Sequence, residues 1–211
     1  MSGASKSGLS VDYYFTPVSP WTYLGHPRFA AITALHSVKV NIKPCDLGRV
    51  FSASGGLPVK QRSQQRQDYR LLELKRWSSH LGTRLNLHPK HFPTPADAAS
   101  QMIIAADATY DTGSALALAF AVMRACWADE RNINDEPTLV AIAREIGLDS
   151  RRLMTPEVMA AAKLKYDANT QAAVEQNVFG APWYVFDGEA YWGQDRLDFL
   201  ERAFAAKHKN A

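Results

Sequence analysis

Residues 19–25, SPWTYLG, carry the groups with the clearest chemical potential in this chain. They follow a strand-like run at residues 11–15 and open an apolar, helix-like segment. We therefore expect Ser19 to cap a helix and Pro20 to be its first residue. A serine hydroxyl and unpaired backbone N–H groups then meet at a helix N-terminus, which stabilises negative charge. In one large fold class a reactive cysteine occupies this position. This chain has Ser19 there, so a cysteine of the chain cannot be the reactive group at this helix start.

The composition predicts a soluble protein with a full hydrophobic core. The chain has 211 residues, 46% of them hydrophobic, which is enough for one compact domain or a domain with a large insertion. A net charge of +3 indicates neither nucleic acid nor a membrane surface as a partner. The most apolar long stretch, residues 115–128, contains Arg124 and is too short to span a bilayer. Residues 1–10 are rich in Ser and Gly and predict a flexible tail, not a signal peptide.

The two cysteines, Cys45 and Cys126, lie far apart and form no C-x-x-C pair. Two such thiols fit a reducing cytosol and predict buried, inert side chains, so we expect a cytoplasmic protein. The six histidines show no metal-ligand spacing, and we expect no metal. No glycine-rich phosphate loop or nucleotide-binding motif is present.

The order of predicted elements indicates the fold class. Strands at residues 11–15 and 38–44 flank a helix at residues 19–37, which Pro27 is expected to kink or divide. This β–α–β unit implies a parallel strand pair. Residues 85–95 predict a loop, residues 148–155 a short turn, and the other central segments predict helices at residues 61–81, 97–107, 114–128, 136–146 and 156–176.

Strand signals return near the C-terminus at residues 183–186 and 189–192, joined by the hairpin turn Asp187-Gly188 and followed by a helix that opens at Gln194. The predicted fold is α/β, a thioredoxin-like domain with a large all-helical insertion. We expect the thioredoxin-like domain to comprise residues 11–50 and 177–211, and the helical insertion domain to comprise residues 51–176.

Three stretches carry a resemblance to a known family: residues 12–15 (DYYF) with 19–24 (SPWTYL), residues 179–182 (FGAP) and residues 192–197 (WGQDRL). Together they resemble the 2-hydroxychromene-2-carboxylate isomerases, which are related to kappa-class glutathione transferases and to the bacterial disulfide oxidoreductase fold. Weaker matches are Lys43-Pro44, Asp46-Leu47 and Arg76-Trp77. The resemblance covers nearly the whole chain after the tail.

The resemblance implies that glutathione is the cofactor and that Ser19 faces its sulfur. A hydroxyl can donate one hydrogen bond to a thiolate, so Ser19 would activate the cofactor thiolate and not act as the nucleophile. Pro182 matches the family's cis proline, which would leave the backbone of Ala181 to pair with the extended peptide. Gln194 and Asp195 would receive the γ-glutamyl end. The glutathione-binding residues implied are Ser19, Arg66, Ala181, Pro182, Trp192, Gly193, Gln194 and Asp195.

The implied substrate pocket departs from the family pattern. Gly55-Gly56 stands where the family has Gly-Asn, so the amide is missing. Phe51 falls where well-known members have a lysine that serves the substrate carboxylate, and Phe92 where they have a tyrosine. A carboxylated substrate would need other cations, and the nearby candidates are Arg49, Lys60, Arg62 and Arg66.

The leading hypothesis is a glutathione-dependent isomerase whose cofactor thiolate, activated by Ser19, adds reversibly to an aromatic oxo-acid in aromatic compound catabolism. Two alternatives stay open: a kappa-like glutathione transferase or peroxidase, and a catalytically inactive glutathione-binding module. A dithiol oxidoreductase is disfavoured because Ser19 and Thr22 occupy the C-x-x-C positions. The partners expected are glutathione and a small aromatic substrate, and the resemblance implies a homodimer.

Overall fold

One four-stranded sheet organises the computed structural model, which describes residues 8–209. The strand order is β2-β1-β3-β4. β1 runs parallel to β2 and antiparallel to β3, and β3 and β4 form an antiparallel hairpin. The strands are β1 (Ser10–Phe15), β2 (Lys39–Pro44), β3 (Trp183–Phe186) and β4 (Glu189–Trp192).

Helices fill the chain between and after the strands. They are α1 (Pro20–Leu35), α2 (Leu47–Ser54), α3 (Gln64–Leu81), α4 (Asp97–Thr109), α5 (Thr112–Trp127), α6 (Glu136–Glu145), α7 (Ser150–Leu153), α8 (Pro156–Glu175) and α9 (Leu197–Lys209). Short 3-10 turns precede α3 at Val59–Gln61 and α9 at Gln194–Arg196. No helix in the described part of the chain is long and apolar enough to cross a membrane.

Local sequence signals predicted most of these elements correctly. The parallel β1–β2 pair and the β3–β4 hairpin are confirmed, and Asp187 and Gly188 both have positive φ, 52° and 82°, as a tight two-residue hairpin turn requires. Ser19 is the N-cap of α1 and Pro20 its first residue.

The structure differs from the expected elements in three details. Helix α1 continues through Pro27 instead of dividing there, and it ends at Leu35. The expected turn after Gly147 contains α7, which Asp149 caps through the N–H of Arg151. Helix α2 was not predicted, although its cap residues were visible in the sequence: the Asp46 carboxylate accepts from two N–H groups of the first turn, and Gly55, at φ 74°, ends the helix.

The sheet and the central helices share one hydrophobic core. Helices α4 and α5 pack against β2, and α5 also packs against α1. Buried side chains from strands and helices belong to the same cluster, including Tyr13, Phe29, Met102 and Trp127. The two-domain division stays a prediction: its boundary after residue 50 falls inside α2, and residues 1–7 of the predicted tail lie outside the described residues.

Candidate active site

Ser19 lies at the N-terminus of α1 with its hydroxyl already in two hydrogen bonds. The Oγ accepts from the N–H of Thr22 at 3.2 Å and donates to the carbonyl of Ala181 at 3.4 Å. The side chain is only 8% exposed. A donor distance of 3.4 Å is long for O–H···O, so the hydroxyl proton can turn to a better acceptor at small cost.

Two backbone N–H groups beside this hydroxyl have no hydrogen-bond partner among the described residues. One belongs to Trp21 in the first turn of α1, and the other to Ala181 in the loop before β3. The Ala181–Pro182 peptide bond is cis. Ser19, Trp21 and Ala181 all line the same space, and they carry one hydroxyl and two N–H groups without a partner among the described residues.

That space is a cavity of about 810 Å³, within the range of roughly 300–1,000 Å³ typical of small-molecule sites. The start of α1 and the Ala181 loop form one wall. Helices α2 and α3 and the loop at residues 87–97 form the other. The cavity brings together five of the residues predicted for the site, namely Ser19, Phe51, Phe92, Ala181 and Trp192.

An aromatic cluster forms one side of the cavity mouth. The ring of Phe179 meets the rings of Trp183 and Trp192 edge to face, with centroid distances of 4.7 and 4.8 Å. Gly180 makes this possible, because a Cβ there would lie 2.5 Å from the indole Nε1 of Trp192. Trp192 remains half exposed and can contact a ligand in the cavity.

The other predicted glutathione residues do not line the cavity. Gln194 is 2% exposed, packs against Gly25 and receives long hydrogen bonds from Arg28 at 3.4 and 3.5 Å. The Asp195 carboxylate lies at the surface, 2.6 Å from the Arg196 guanidinium. Pro182 and Gly193 are joined to each other by the hydrogen bond from Gly193 N–H to the Pro182 carbonyl, at 2.9 Å.

Three further predicted residues also lie outside the cavity lining. Gly55 is exposed at the end of α2, and Arg66 is exposed on α3. Gly56 packs on the Phe51 ring, which would collide with a Cβ at that position. Its contribution is therefore to the position of Phe51.

Cations on the helical side form a part of the site that the sequence indicated only loosely. Lys60 and Arg62 line the cavity, whereas Arg49 pairs with Asp167 elsewhere. Arg70, which the sequence did not single out, lines it as well. The guanidinium of Arg62 donates to the Leu57 carbonyl at 2.8 Å and lies 5.9 Å from the centre of the Phe51 ring.

Tyr166 is another cavity residue that sequence reasoning missed. Its side chain is 5% exposed, and burial, together with the nearby carboxylates of Asp97 and Asp46, raises the pKa of its hydroxyl. The phenol is therefore neutral and can donate a hydrogen bond. In the sequence Tyr166 is a single aromatic residue in the middle of α8, so only the packing reveals it.

The match that decides the family covers residues 10–205, which align with the model of a DSBA-like thioredoxin domain. The chain belongs to the DSBA-like thioredoxin family. This match confirms the predicted fold class, a thioredoxin-like α/β domain with added helices.

Individual relatives confirm the resemblance stated from the sequence. The chain is 29% identical to a 2-hydroxychromene-2-carboxylate isomerase from Pseudomonas putida, over 92% of this chain and 94% of that protein. A solved 2-hydroxychromene-2-carboxylate isomerase structure superposes with a TM-score of 0.78 at 27% identity, covering 96% and 97% of the two chains. The cytosolic disulfide reductase DsbM from Pseudomonas aeruginosa, solved with GSH, shares the fold at 17% identity and a TM-score of 0.67, covering 96% of this chain and 100% of that chain.

This DSBA-like chain has no thiol in its cavity. Cys45 and Cys126 are its two cysteines, and both are buried. Burial raises the pKa of each thiol to about 12, so neither forms a thiolate at neutral pH. A dithiol cycle at the start of α1 is thereby excluded. Among the described residues, no group of His, Cys, Asp or Glu side chains is arranged to hold a metal ion.

Proposed function

We propose that this protein is a glutathione-dependent isomerase of the 2-hydroxychromene-2-carboxylate type. The observation that carries the proposal is the buried Ser19 hydroxyl at the N-terminus of α1, which faces a large, mostly apolar cavity beside the free N–H of Ala181. The isomerases that resemble this chain over nearly its full length support the reaction class. A homodimer and a cytoplasmic location remain predictions.

The groups at this end of the cavity fit glutathione. An extended peptide needs backbone donors and acceptors, and Ala181 offers a free N–H together with a carbonyl that only a long hydrogen bond occupies. An anionic sulfur needs donors without an adjacent carboxylate, and the N–H groups of α1 with the Ser19 hydroxyl meet that need. When bound, glutathione supplies a thiolate that can add reversibly to an electrophilic carbon.

Ser19 holds negative charge at the start of α1. Its hydroxyl turns from the Ala181 carbonyl to donate to the anion, while its Oγ keeps the N–H of Thr22 as a cap. A hydrogen bond to a charged group contributes about 1.5–3 kcal/mol, and the helix N-terminus adds about 0.3–1 kcal/mol. Since one pKa unit corresponds to about 1.4 kcal/mol, these groups suffice to lower a thiol pKa by one to two units.

The remaining walls suit a flat aromatic substrate. Phe51, Phe92 and Trp192 present rings to the cavity, and such surfaces exclude water and orient a conjugated ring system. Gly55 and Gly56 do not line the cavity; Gly56 acts through the position of Phe51, and Gly55 ends α2. Glutathione's terminal groups extend past the cavity mouth under this proposal, towards Asp195 on one side and Arg66 on the other.

An ultraviolet absorbance assay tests the proposal directly. Purified protein is mixed with 2-hydroxychromene-2-carboxylate with and without glutathione, and free thiol is titrated before and after the reaction. We expect the chromene to be isomerised only when glutathione is present. The concentration of glutathione should be the same before and after the reaction. Loss of one glutathione per turnover would assign the protein to transferases instead, and binding of glutathione without turnover would make it a binding module.

A further inference from the structure

Arg70 is a cavity residue whose positive charge no described residue compensates. It lies in α3, is half-buried and lines the same cavity as Ser19. Its guanidinium lies 5.6 Å from the centre of the Phe92 ring and 5.8 Å from that of the Trp127 ring. These two rings also contact each other, with centroids 4.8 Å apart. The guanidinium therefore contacts a pair of aromatic rings, and these contacts position it at the cavity.

No described residue neutralises Arg70. Its guanidinium makes no hydrogen bond and no ion pair with any residue that the structure describes, which includes Asp46 and Asp97 in the same cavity wall. The nearest charged influence is the like charge of Arg62, and burial with Arg62 lowers the pKa of Arg70 to about 10. Arg70 is thus still charged at neutral pH, and its surroundings lack an anion.

Other cations of the cavity are less suited to bind an anion. Arg62 already donates to the Leu57 carbonyl, and Lys60 is exposed and has no aromatic brace. Arg70 keeps all five N–H donors free in a planar fork, which matches the two oxygens of a carboxylate. The fork lies beside Phe92, so an aromatic acid could place its ring on the cavity's rings and its carboxylate on Arg70.

We propose that Arg70 is the residue that binds the carboxylate of the organic substrate and selects aromatic acids over their neutral analogues. This assignment deepens the proposed function and rests on it for the identity of the reaction. Arg70 of α3 then supplies the positive charge that the family resemblance would place on α2, where this chain has Phe51.

Binding of a non-reacting aromatic acid tests the assignment without any turnover. Isothermal titration calorimetry in the absence of glutathione compares trans-cinnamate with cinnamyl alcohol, which has a similar shape and no charge. For Arg70→Met we expect the dissociation constant of cinnamate to rise about 10- to 100-fold and that of the alcohol to stay the same. Arg70→Lys should recover only part of the loss, because an ammonium lacks the planar fork.

Arg76→Met is the matched control, since Arg76 lies on the same helix, pairs with Glu73 and does not line the cavity. It should bind cinnamate as the original chain does. Thermal unfolding provides a second readout: Arg70→Met should melt at the same or a higher temperature, because it removes an unneutralised charge. Weaker cinnamate binding with unchanged or higher stability separates recognition from a merely structural role.

Two results would overturn the assignment: equal cinnamate affinity in the original chain and Arg70→Met, or a weakened affinity of Arg70→Met for glutathione alone. The second result would mean that Arg70 binds a carboxylate of glutathione and not that of the organic substrate. An Arg70-dependent cinnamate affinity in a protein that does not isomerise the chromene would keep this assignment and reject the proposed reaction.

Discussion

Ser19 and Arg70, on the two walls of the cavity, differ in how their side chains are paired. On the wall formed by α1 and the Ala181 loop, the Ser19 side chain bonds to the backbone of Thr22 and Ala181. His26 of the same helix, outside the cavity lining, bonds to the Tyr13 hydroxyl and the Leu116 carbonyl. On the helical wall, Arg70 stacks on aromatic rings and has no anion. The Ser19 hydroxyl is held in place by the chain before any ligand arrives, whereas Arg70 lacks a counter-ion until an anion binds. The difference suggests that the first wall positions the cofactor and the second selects the substrate.

The largest expected effect concerns His26, a buried titratable group of α1 outside the cavity lining. The Leu116 carbonyl can only accept, so the His26 Nε2 donates to it, at 3.0 Å, and Nδ1 accepts from the Tyr13 hydroxyl at 3.1 Å. Burial lowers the pKa of His26 from 6.5 to about 4. His26 therefore takes up a proton below pH 6.5 in the unfolded chain, but only near pH 4 in the native chain. As the pH falls from 6.5 to about 4, the free energy of unfolding should therefore decrease by about 3 kcal/mol. Above pH 6.5, His26 should not make the free energy of unfolding depend on pH.

Urea unfolding at pH 4.5, 5.5 and 7.5 checks this loss, with His26→Gln as the comparison. The variant should be less stable at pH 7.5, and its stability should depend less steeply on pH between 6.5 and 4. Parallel pH profiles for the two proteins would mean that His26 is not held neutral in the native state, and the hydrogen-bond roles assigned to its ring nitrogens would be wrong.

Replacement of Ser19 by alanine has the next largest effect and separates capping from catalysis. The hydroxyl gives a cap worth about 1 kcal/mol of stability and, under the proposed function, a hydrogen bond to the thiolate. We expect Ser19→Ala to lower the glutathione-dependent rate about 10- to 100-fold and to raise the pKa of bound glutathione. A pH–rate profile and thiolate absorbance near 240 nm measure the two changes.

Thr155→Ala controls for the loss of a cap, since Thr155 caps α8 by accepting from the N–H of Val158 and does not line the cavity. It should lose comparable stability and keep full activity. If Ser19→Ala behaves like Thr155→Ala, the hydroxyl serves only the helix.

The smallest expected effect is that of thiol alkylation. Cys45 and Cys126 are buried with raised pKa values, so iodoacetamide should leave the native protein unlabelled and fully active. Mass spectrometry should find both thiols labelled only after unfolding. Labelling of a native cysteine with loss of activity would show that the reactive sulfur belongs to the chain, and glutathione would no longer be needed to supply it.

Local interactions explain which elements could be predicted. The caps at Ser19 and Thr155 and the Asp187-Gly188 turn act within three residues, so their types alone indicate helix starts and a hairpin. Helix α2 was missed because its interior, LGRVFSAS, has few strong helix formers, and its ends at Asp46 and Gly55 carried the signal.

The site was predictable to a lesser degree. Arg66 and Arg70 lie one turn apart on the same helix, and no local rule distinguishes them, yet only Arg70 lines the cavity. Gln194 lies within residues 192–197, which resemble the isomerases. Its side chain, however, accepts a hydrogen bond from Arg28 and packs against Gly25, which leaves space for it. Contacts between residues so distant in the chain are outside the reach of a sequence pattern.

The sequence by itself determined the order of the four strands and of the longer helices, the serine at the start of α1 and the absence of a reactive cysteine there, because these depend on residue types and short-range bonding. Only the tertiary structure decided which cations meet Ser19 in one cavity. Packing of α3 against the loop that carries Phe92 turns Arg70 into that space, and this orientation depends on the volumes of side chains from several helices at once.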